Sequence, residues 1–305
     1  MIYDILIIGS GMAGMTAALY AKRNNKSVML LERESIGGQI ASSPKVENYP
    51  TVPAMSGMDL SAKVFEQIED YVDFDLDSVT SLVKEDGVFT AKTEYGSEYK
   101  ALSVIIANGV KHRKLNLPRE ESFIGNGISF CAVCDGAFYK GEDVILIGDA
   151  NTALQYALLL SDLCKSVRVC TLFDKFFADE VYVNALKNRE NVIVEHNLAS
   201  IDYLGDDTLT GVEFKNTQTG EIVKRYGKGV FVAIGQIPDN KAFENLADLD
   251  RLGYFVSDES CRTRTEGLFV AGDTRTKAYR QLTTAAADGA NAALAACDYI
   301  LKLKK

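Results

Sequence analysis

Apolar and polar positions alternate along the N-terminal segment in blocks that predict a βαβ unit. Tyr3–Ile8 is a short apolar run, followed by the turn Gly9–Gly14, which reads Gly-Ser-Gly-Met-Ala-Gly. Met15–Arg23 then presents small residues at helical spacing, and Val28–Leu31 is a second apolar run that ends at Glu32. A strand, a glycine-rich turn, a helix and a second buried strand in this order indicate two parallel strands joined by a helix.

The same pattern returns in the middle of the chain. Val144–Ile147 predicts a strand, Thr152–Leu163 a helix and Val167–Leu172 another strand. Near the C-terminus a further apolar strand runs into Gly272, and Leu282–Tyr299 predicts a long, alanine-rich helix. The repeated unit predicts an α/β fold made of two Rossmann-like, doubly wound domains.

The second βαβ unit is predicted to form a domain inserted into the first. Proline, glycine and charged residues cluster at His112–Pro118 and at Gln236–Asn240, as they do at domain boundaries. We therefore expect a discontinuous domain, residues 1–113 plus 240–305, and a central domain, residues 114–239. Two connections between two domains favour a hinge.

Composition narrows the class of protein. The 305 residues carry a formal net charge of −9, which disfavours nucleic acid as a partner because such binding needs Lys and Arg to neutralise phosphates. No apolar stretch approaches the roughly 20 residues of a membrane-spanning helix, so no membrane partner is expected. The sequence opens directly on a predicted strand, so we expect no signal peptide and a cytoplasmic location. The single cysteines lie among apolar neighbours and are predicted core residues: Cys164, Cys170, Cys261 and Cys297.

The first turn has the composition of a dinucleotide-binding site. Gly9 allows the tight turn, Gly11 lets the backbone approach a pyrophosphate, and Gly14 lets the helix pack close to the strand. The helix N-terminus offers free N–H groups to phosphates, and Glu32 is suited to accept bonds from ribose hydroxyls. The cofactor-binding residues predicted here are Gly9, Ser10, Gly11, Met12, Ala13, Gly14 and Glu32.

The C-terminal strand adds a signal for a flavin. Gly272 and Asp273 follow the apolar run, and an aspartate at such a strand end can bond the ribitol chain of FAD. Arg280 and Gln281 then open the helix that begins at Leu282. A helix N-terminus beside a flavin stabilises negative charge on its reduced ring. Together with the first turn, these residues predict that the cofactor is FAD.

Only two of the six cysteines are spaced as a pair, in Cys131-Ala-Val-Cys134. A zinc site would need a second such pair or a nearby histidine, and neither His112 nor His196 supplies the spacing. A structural pair of buried thiols would not account for Asp135 and the glycine after it. The motif therefore favours a redox-active dithiol with Asp135 as its acid–base group.

Several motifs occur in an order that resembles one family. They are Gly9-x-Gly11-x-x-Gly14, Gly37-Gly38-Gln39, Glu47-Asn48-Tyr49-Pro50, Cys131-Ala-Val-Cys134-Asp135-Gly136 and Gly272-Asp273. The chain resembles the low-molecular-weight thioredoxin reductases from Tyr3 to about Tyr299. The resemblance implies a homodimer of the pyridine nucleotide-disulfide oxidoreductase type. It also implies a central domain that rotates, so that the cysteine pair faces either FAD or thioredoxin.

The resemblance assigns roles to individual residues. It implies that Cys134 is the thiol nearest the flavin, and that Cys131 attacks the disulfide of thioredoxin before Cys134 resolves the mixed disulfide. Further flavin contacts are implied for Gly38, Gln39, Asn48, Ala107, Asn108 and Gly109. Asn108 departs from the family, which has threonine at this strand end.

The second turn departs from the family where NADPH would bind. The sequence reads Gly148-Asp-Ala150-Asn-Thr-Ala153, so alanine replaces the glycine that should admit a pyrophosphate, and Asp149 adds a repelling charge. The family's His-Arg-Arg clamp for the 2′-phosphate becomes Thr171-Leu172-Phe173, and Phe177 replaces a further arginine. Since neither Leu nor Phe can imitate the donors of Arg, NADPH is not expected to bind well.

This departure is similar to that of the ferredoxin-dependent flavin thioredoxin reductases, which lack nicotinamide-binding motifs. The resemblance implies that reduced ferredoxin donates single electrons and that the flavin collects two. Ferredoxins are acidic, so an acidic reductase would need a local basic patch. The sequence offers two candidates, Arg275 with Lys277 and Arg280, or the cluster Lys111–Lys114.

Other functions stay open at the level of sequence. An NADPH-dependent thioredoxin reductase would need a cation for the 2′-phosphate, and only Arg168 and Lys175 lie near. A flavin dithiol oxidase would share the lost motifs and pass electrons from a small dithiol to oxygen. The intact cysteine pair followed by Asp135 argues against a non-catalytic flavoprotein scaffold or redox sensor. A ferredoxin–nicotinamide reductase of similar fold would need no cysteine pair and would need the nicotinamide site.

Overall fold

The computed structural model describes residues 1–41, 43 and 46–303, and the chain divides into two compact units. Unit 1 comprises Met1–Lys111 and Ile237–Lys305, and unit 2 comprises His112–Gln236. The sequence predicted the boundaries between the two domains after residues 113 and 239, and the structure has the boundaries between the two units after residues 111 and 236.

Strands and helices alternate through both units. The strands are β1 (Ile2–Ile8), β2 (Val28–Glu32), β3 (Asp73–Leu76), β4 (Val79–Glu85), β5 (Val88–Thr93), β6 (Glu98–Ile106), β7 (Val110–His112), β8 (Ile128–Ser129), β9 (Asp143–Ile147), β10 (Ser166–Cys170), β11 (Val192–Glu195), β12 (Leu198–Leu204), β13 (Gly211–Asn216), β14 (Ile222–Tyr226), β15 (Gly229–Val232), β16 (Gln236–Pro238) and β17 (Leu268–Val270). The α-helices are α1 (Met12–Arg23), α2 (Gly57–Glu66), α3 (Glu120–Phe123), α4 (Ala132–Asp135), α5 (Asn151–Leu163), α6 (Glu180–Lys187) and α7 (Leu282–Leu303). Short 3₁₀ turns are Gly38–Ile40, Glu69–Tyr71, Gly136–Tyr139, Lys241–Phe243 and Gly272–Thr274.

The main sheet of unit 1 is mostly parallel. Its strand order is β3-β2-β1-β6-β5-β4, and β17 pairs with β6 beside β5. The strands β1, β2, β3, β6 and β17 run parallel to one another, whereas β5 is antiparallel to both of its neighbours, β6 and β4. Ile8 and Val270 both lie level with Ile106. The segments after β1, β6 and β17 therefore meet at one edge, where open α/β sheets bind ligands.

The main sheet of unit 2 is entirely parallel, in the order β11-β10-β9-β15-β8. Ile147 at the end of β9 lies level with Cys170 on one side and with Val232 on the other. A separate antiparallel sheet, β12-β13-β14, completes the unit. Each unit thus contains the predicted doubly wound α/β sheet.

Element bounds differ from the sequence prediction in informative places. α1 begins at Met12 rather than Met15, since Gly11 is extended and serves as its N-cap. The strand predicted as Val167–Leu172 ends at Cys170, because Leu172 lies beyond the sheet and is exposed. α7 continues past Tyr299 to Leu303.

Small side chains set the packing of unit 1. A Cβ on Gly289 would lie 2.1 Å from the carbonyl oxygen of Ala13, so glycine is required where α7 crosses α1. The four single cysteines are buried, as predicted: Cys164, Cys170, Cys261 and Cys297. Along the described ranges, no helix combines the length and the apolar character needed to span a bilayer.

Candidate active site

The first turn is open where a ligand phosphate would approach. Gly9 has a φ of +104°, and a Cβ there would lie 2.4 Å from the carbonyl oxygen of Ala107. A Cβ on Gly14 would lie 1.8 Å from the carbonyl oxygen of Gly9. A Cβ on Gly11, in contrast, would have the Gly37 oxygen as its nearest neighbour, at 4.0 Å. Gly9 and Gly14 are therefore needed by the fold, whereas the space beside Gly11 is free.

Glu32 is buried and bonds the turn from behind. Its Oε2 accepts bonds from the backbone N–H and the hydroxyl of Ser10, at 2.7 and 2.9 Å. Its Oε1 accepts bonds from the backbone N–H groups of Arg33 and Glu34. A carboxylate offers about four acceptor positions. Four donors of the chain itself already bond this carboxylate. Glu32 orders the loop, and its contact with a ribose stays a prediction.

The segments Gly37–Gln39 and Asn48–Tyr49 contact residues next to the sheet edge where β1, β6 and β17 end. A Cβ on Gly38 would lie 3.8 Å from the Cα of Gly11, so the two glycines face each other. The side-chain amide of Gln39 donates to the carbonyl of Val110. Asn48 donates to the Gln281 side chain at 3.2 Å, which joins this segment to the start of α7.

The end of β6 contributes Ala107, Asn108 and Gly109. The Asn108 side-chain nitrogen donates to the carbonyl of Asp239 and to Oδ1 of Asn240, at 2.9 and 3.1 Å. Its Oδ1 is buried and has no hydrogen-bond partner among the residues that the structure describes. The asparagine that replaces the family's threonine therefore supports the segment after β16 and presents an unused acceptor.

Asp273 presents a second unused acceptor at the end of β17. Its Oδ1 is buried without a partner in the described part of the chain, and burial raises the pKa of this carboxyl. Arg280 donates to the carbonyl oxygens of Asp273 and Arg275, and its guanidinium stacks on Tyr254 at 4.3 Å. Leu282 is the first residue of α7.

These residues fit FAD. Buried acceptors without donors cost free energy, and the hydroxyl groups of a ribitol or a ribose are donors of the kind that Asn108 and Asp273 lack. The N-terminus of α1 and the free space at Gly11 suit a pyrophosphate. The predicted residues after β1, β6 and β17 come together at one edge of one sheet.

A buried charge cluster behind this edge was not predicted from the sequence. The Asp288 carboxylate accepts bonds from Arg275, Lys277 and the backbone N–H of Gly272, at 2.7 to 3.0 Å. Burial opposes the ionisation of Asp288, but the two cations outweigh it and lower its pKa. A polar residue within an alanine-rich helix, on the face that turns inward, was the signal that could have revealed it.

The candidate basic patch of Arg275, Lys277 and Arg280 is wrong for its first two members, while Arg280 stacks on Tyr254. The Arg275 and Lys277 side chains are only 7% exposed because they neutralise Asp288 inside the unit. In the other candidate cluster, Lys111 pairs with Glu34 and Lys114 with Glu121. Burial lowers the pKa of His112 to about 4, so His112 adds no charge at neutral pH.

The cysteine pair lies at the start of a short helix in unit 2. Cys131 is the N-cap of α4 and is joined to Cys134 by a disulfide, with their Cα atoms 5.3 Å apart. Both residues are partly exposed, and Val133 between them is exposed. A disulfide at the surface end of a helix is accessible to a reductant and to a partner protein.

Asp135 ends this helix and is held by Ser129. The Ser129 hydroxyl donates to Oδ2 of Asp135 at 2.6 Å and accepts from the backbone N–H of Cys131 at 3.0 Å. Oδ1 of Asp135 is buried, and no described residue offers it a hydrogen bond. Burial raises the pKa of Asp135, and the Ser129 bond partly offsets this. Ser129 was not predicted; its place two residues before the pair was the available signal.

Comparisons with known proteins agree with this geometry. The family model of the pyridine nucleotide-disulphide oxidoreductases matches residues 3–289. The chain is 36% identical to the thioredoxin reductase of Bacillus subtilis over 307 residues, covering 100% of this chain and 96% of that protein. A crystal structure of thioredoxin reductase from Streptococcus pyogenes has a TM-score of 0.93 and 35% identity, over 99% of both chains. The chain belongs to the low-molecular-weight thioredoxin reductase family.

A further relative carries a different description. A protein of Clostridium pasteurianum described as a 34.2 kDa protein in rubredoxin operon is 35% identical over 300 residues, covering 97% of each chain.

The second turn, which begins at Gly148, has the same close backbone packing as the first turn. A Cβ on Gly148 would lie 2.4 Å from the carbonyl oxygen of Ala233, the same separation as for Gly9 in the first turn. The surroundings differ. The backbone of Phe177 bridges to Ala150 and donates to the Asp149 carbonyl at 2.8 Å. A chain segment therefore lies along the turn of this thioredoxin reductase homologue.

Two carboxylates stand at the N-terminal end of α5. Burial raises the pKa of Asp149, and Asp179 accepts a bond from the Asn151 side chain at 3.0 Å. The backbone N–H of Asp179 in turn donates to Oδ1 of Asn151, at 2.7 Å. The positive end of the helix thus faces carboxylates of its own chain, which repel an incoming pyrophosphate.

An apolar surface stands where the family's phosphate clamp would be. Leu172, Phe173 and Phe177 are 48 to 55% exposed, and the two phenylalanine rings are in edge contact. Arg168 forms an ion pair with Glu195, which also binds Arg225. Of the two cations named from the sequence, Arg168 is thereby neutralised, whereas Lys175 is exposed beside the Phe177 ring.

Proposed function

We propose that this protein is an FAD-dependent disulfide reductase that reduces thioredoxin through Cys131 and Cys134, with electrons from reduced ferredoxin. Its family, the FAD-compatible edge of unit 1 and the disulfide of unit 2 support the reductase function. The choice of donor is supported by one observation, the altered second turn. Ala150 stands there in place of the middle glycine of the first turn, Asp149 precedes it, and the Phe177 backbone bonds along both residues.

FAD, when bound, can accept electrons one at a time from the donor and pass two electrons to the disulfide. The chain's own residues would hold it through the N-terminus of α1, the acceptors of Asn108 and Asp273, and the start of α7. Arg275 and Lys277 pair with Asp288 behind this edge, and Asp288 accepts the backbone N–H of Gly272, so the cluster fixes the strand end next to Asp273.

Cys131 and Cys134 carry the electrons to the partner. Two electrons and two protons convert their disulfide into two thiols. The Cys131 thiolate then bonds to one sulfur of the thioredoxin disulfide, while the other sulfur leaves and takes up a proton. Cys134 next attacks Cys131, which restores the disulfide and releases the second thiol of thioredoxin. Asp135, whose pKa burial raises, would receive and return the thiol proton.

The relative of C. pasteurianum is consistent with an iron-protein donor. Its description associates it with a rubredoxin operon, and rubredoxins carry single electrons on iron. We infer that a one-electron iron–sulfur donor also suits this chain. The homodimer and the cytoplasmic location expected from the sequence belong to the same proposal.

NADPH dependence is the second candidate, and two observations favour it. The relatives named thioredoxin reductase belong to a family described by its pyridine nucleotide. Lys175 is an exposed cation beside Phe177, close to the place of the missing clamp. A single lysine offers a point charge rather than the paired donors of several arginines.

Anaerobic bleaching of the flavin distinguishes the donors. Purified holoenzyme is mixed with excess NADPH, with excess NADH or with reduced ferredoxin, and the flavin absorbance is followed before thioredoxin is added. We expect both nucleotides to leave the flavin oxidised and ferredoxin to bleach it and support thioredoxin reduction. Bleaching by NADPH within the mixing time would establish the conventional reductase instead. Rapid peroxide formation with a small dithiol, without thioredoxin, would establish the dithiol oxidase.

A further inference from the structure

Ser129 connects the two chemical groups of the cysteine site. It ends β8, where Ile128 and Ser129 pair with β15, and its side chain is 5% exposed. The hydroxyl accepts the backbone N–H of Cys131 and donates its one proton to Oδ2 of Asp135, at 3.0 and 2.6 Å. A hydroxyl has one donor and two acceptor positions, so both bonds can exist at once.

The carboxyl of Asp135 depends on this bond for its orientation. Ser129 is its hydrogen-bond donor in the described structure, and Oδ1 is buried without a partner. The titratable groups that face it are Tyr139 from the turn after α4 and Tyr156 from α5. Burial is the main cause of the raised pKa of both tyrosines, and the negative charge of Asp135 raises it further. Neither tyrosine bonds Oδ1, so one carboxyl oxygen is fixed and the other is free to exchange a proton.

We propose that Ser129 is a positioning residue for disulfide exchange, which fixes the Asp135 carboxyl to the backbone of Cys131 and leaves Oδ1 free for the thiol proton. This inference rests on the proposed reductase function. In the dithiol state the carboxylate takes a proton from a thiol, and the resulting thiolate forms a bond to one sulfur of the partner disulfide. The partner's second sulfur leaves with the bonding pair and takes up the proton that Asp135 holds.

Removal of the hydroxyl has a defined consequence. Ser129→Ala leaves Asp135 buried without a donor, which favours the protonated carboxyl and raises its pKa further. A neutral carboxyl cannot accept the thiol proton, so less thiolate forms at neutral pH. The loss of a hydrogen bond to a charged group should correspond to about a tenfold or larger effect. Ser129→Thr keeps the hydroxyl and should retain the function.

The test uses reduced FAD holoenzyme of the parent, Ser129→Ala and Ser129→Thr. The rate of Cys131 alkylation by iodoacetamide is measured against pH by mass spectrometry, and oxidation by thioredoxin is followed in single turnover. Ser122→Ala is the matched control, because its exposed hydroxyl bonds only the carbonyl of Arg119 among the described contacts. We expect Ser129→Ala to lower the neutral-pH rate about tenfold and to move the pH midpoint upward, with Ser129→Thr and Ser122→Ala near the parent.

A double variant keeps the inference falsifiable if Ser129→Ala is also less stable. Ser129 acts through Asp135 under this proposal, so Ser129→Ala should add little to the effect of Asp135→Asn. An unchanged pH midpoint in Ser129→Ala, or full additivity with Asp135→Asn, would overturn the positioning role. Failure of the parent to reduce thioredoxin would refute the proposed function alone, since the alkylation profile still reports on Ser129.

Discussion

The two glycine turns of this protein share a backbone and differ in what surrounds it. In both, the first glycine lies so close to a neighbouring strand that a Cβ would come within 2.4 Å of a carbonyl oxygen. In the first turn the middle glycine, Gly11, faces free space and a helix N-terminus. In the second turn Ala150 occupies that position, with Asp149 beside it and Phe177 bonded along it.

The difference teaches that a βαβ unit and a ligand site are separable properties. Close packing of each turn against the end of a neighbouring strand requires Gly9 and Gly148 whether or not a ligand binds. The ligand requires in addition an unobstructed approach and an environment that accepts negative charge. Carboxylates at the second helix N-terminus offset the positive end of the helix dipole, so we expect the fold to remain while the affinity for a pyrophosphate falls.

The largest expected effect follows from closing the first turn. Gly11→Val should keep the fold, because a Cβ there meets no atom closer than 4.0 Å, but it should fill the space needed by the cofactor. We expect FAD affinity to fall at least about a hundredfold, or roughly 2.7 kcal/mol. Flavin absorbance of the purified protein and titration of the apoprotein with FAD measure the loss.

Gly14→Val separates the fold from the ligand in the same turn. Its Cβ would lie 1.8 Å from the carbonyl oxygen of Gly9, so this variant should be unstable with or without FAD. Thermal unfolding of the two apoproteins provides the comparison. If Gly11→Val retained FAD, the free space beside Gly11 would not be the cofactor site.

A smaller effect is expected from opening the second turn. Asp149→Gly with Ala150→Gly removes the charge and the Cβ, and Leu172→Arg with Phe173→Arg introduces two cations in the segment after β10. Each charge-assisted bond contributes about 1.5–3 kcal/mol, so NADPH affinity should rise about tenfold or more. Fluorescence titration with NADPH and with NADH measures the gain and its dependence on the 2′-phosphate.

The matched control restores the arginines alone. With Asp149 and Ala150 left in place, the pyrophosphate should still be excluded, and the gain should be much smaller. Tight NADPH binding by the unmodified protein would contradict the comparison between the turns and would support the conventional donor.

The smallest expected effect concerns the stability cost of Asp149. Burial raises its folded-state pKa, so the carboxyl favours folding when protonated and this contribution is lost as pH rises through the folded pKa. Asp149→Asn should therefore raise the unfolding temperature by about 1–3 °C at pH 7.5 and by less as the pH approaches the ordinary carboxyl value of 3.8. Differential scanning calorimetry tests this.

Asp174→Asn provides the charge-matched control for that experiment, because Asp174 is exposed in the same region of unit 2. An equal gain in both variants would mean that net charge, and not the burial of Asp149, determines the effect.

Local patterns predicted the fold well. The apolar runs identified β1, β2, β9 and the helices that follow, because period and length are properties of adjacent residues. The Gly-x-Gly-x-x-Gly turn and Gly272-Asp273 were predicted as parts of one site, and the level ends of β1 and β17 bring their segments to one edge of the sheet. The confirmed α/β fold thus followed from local signals.

Partners distant in sequence were not predictable from those signals. From the sequence, Arg275 and Lys277 resemble surface cations, because their partner Asp288 lies more than ten residues away. The hydrogen bond from Ser129 to Asp135 likewise forms only when the end of β8 packs against α4. Glu32 was predicted to face a ribose, yet it accepts two bonds from Ser10 and one each from the backbone of Arg33 and Glu34. Hydrogen-bond competition of this kind is determined by tertiary structure.

The pairing of β17 with β6 also bears on how the protein is made. Leu268–Val270 supply the last strand of the unit 1 sheet, and α7 packs on α1 at Ala13. Unit 2 is one continuous stretch of chain, whereas unit 1 needs residues from both ends. A ribosome therefore releases all of unit 2 before the strand and helix that complete unit 1 are synthesised. We expect the nascent chain to fold its disulfide-bearing half first, and to become competent for flavin only after the final helix emerges.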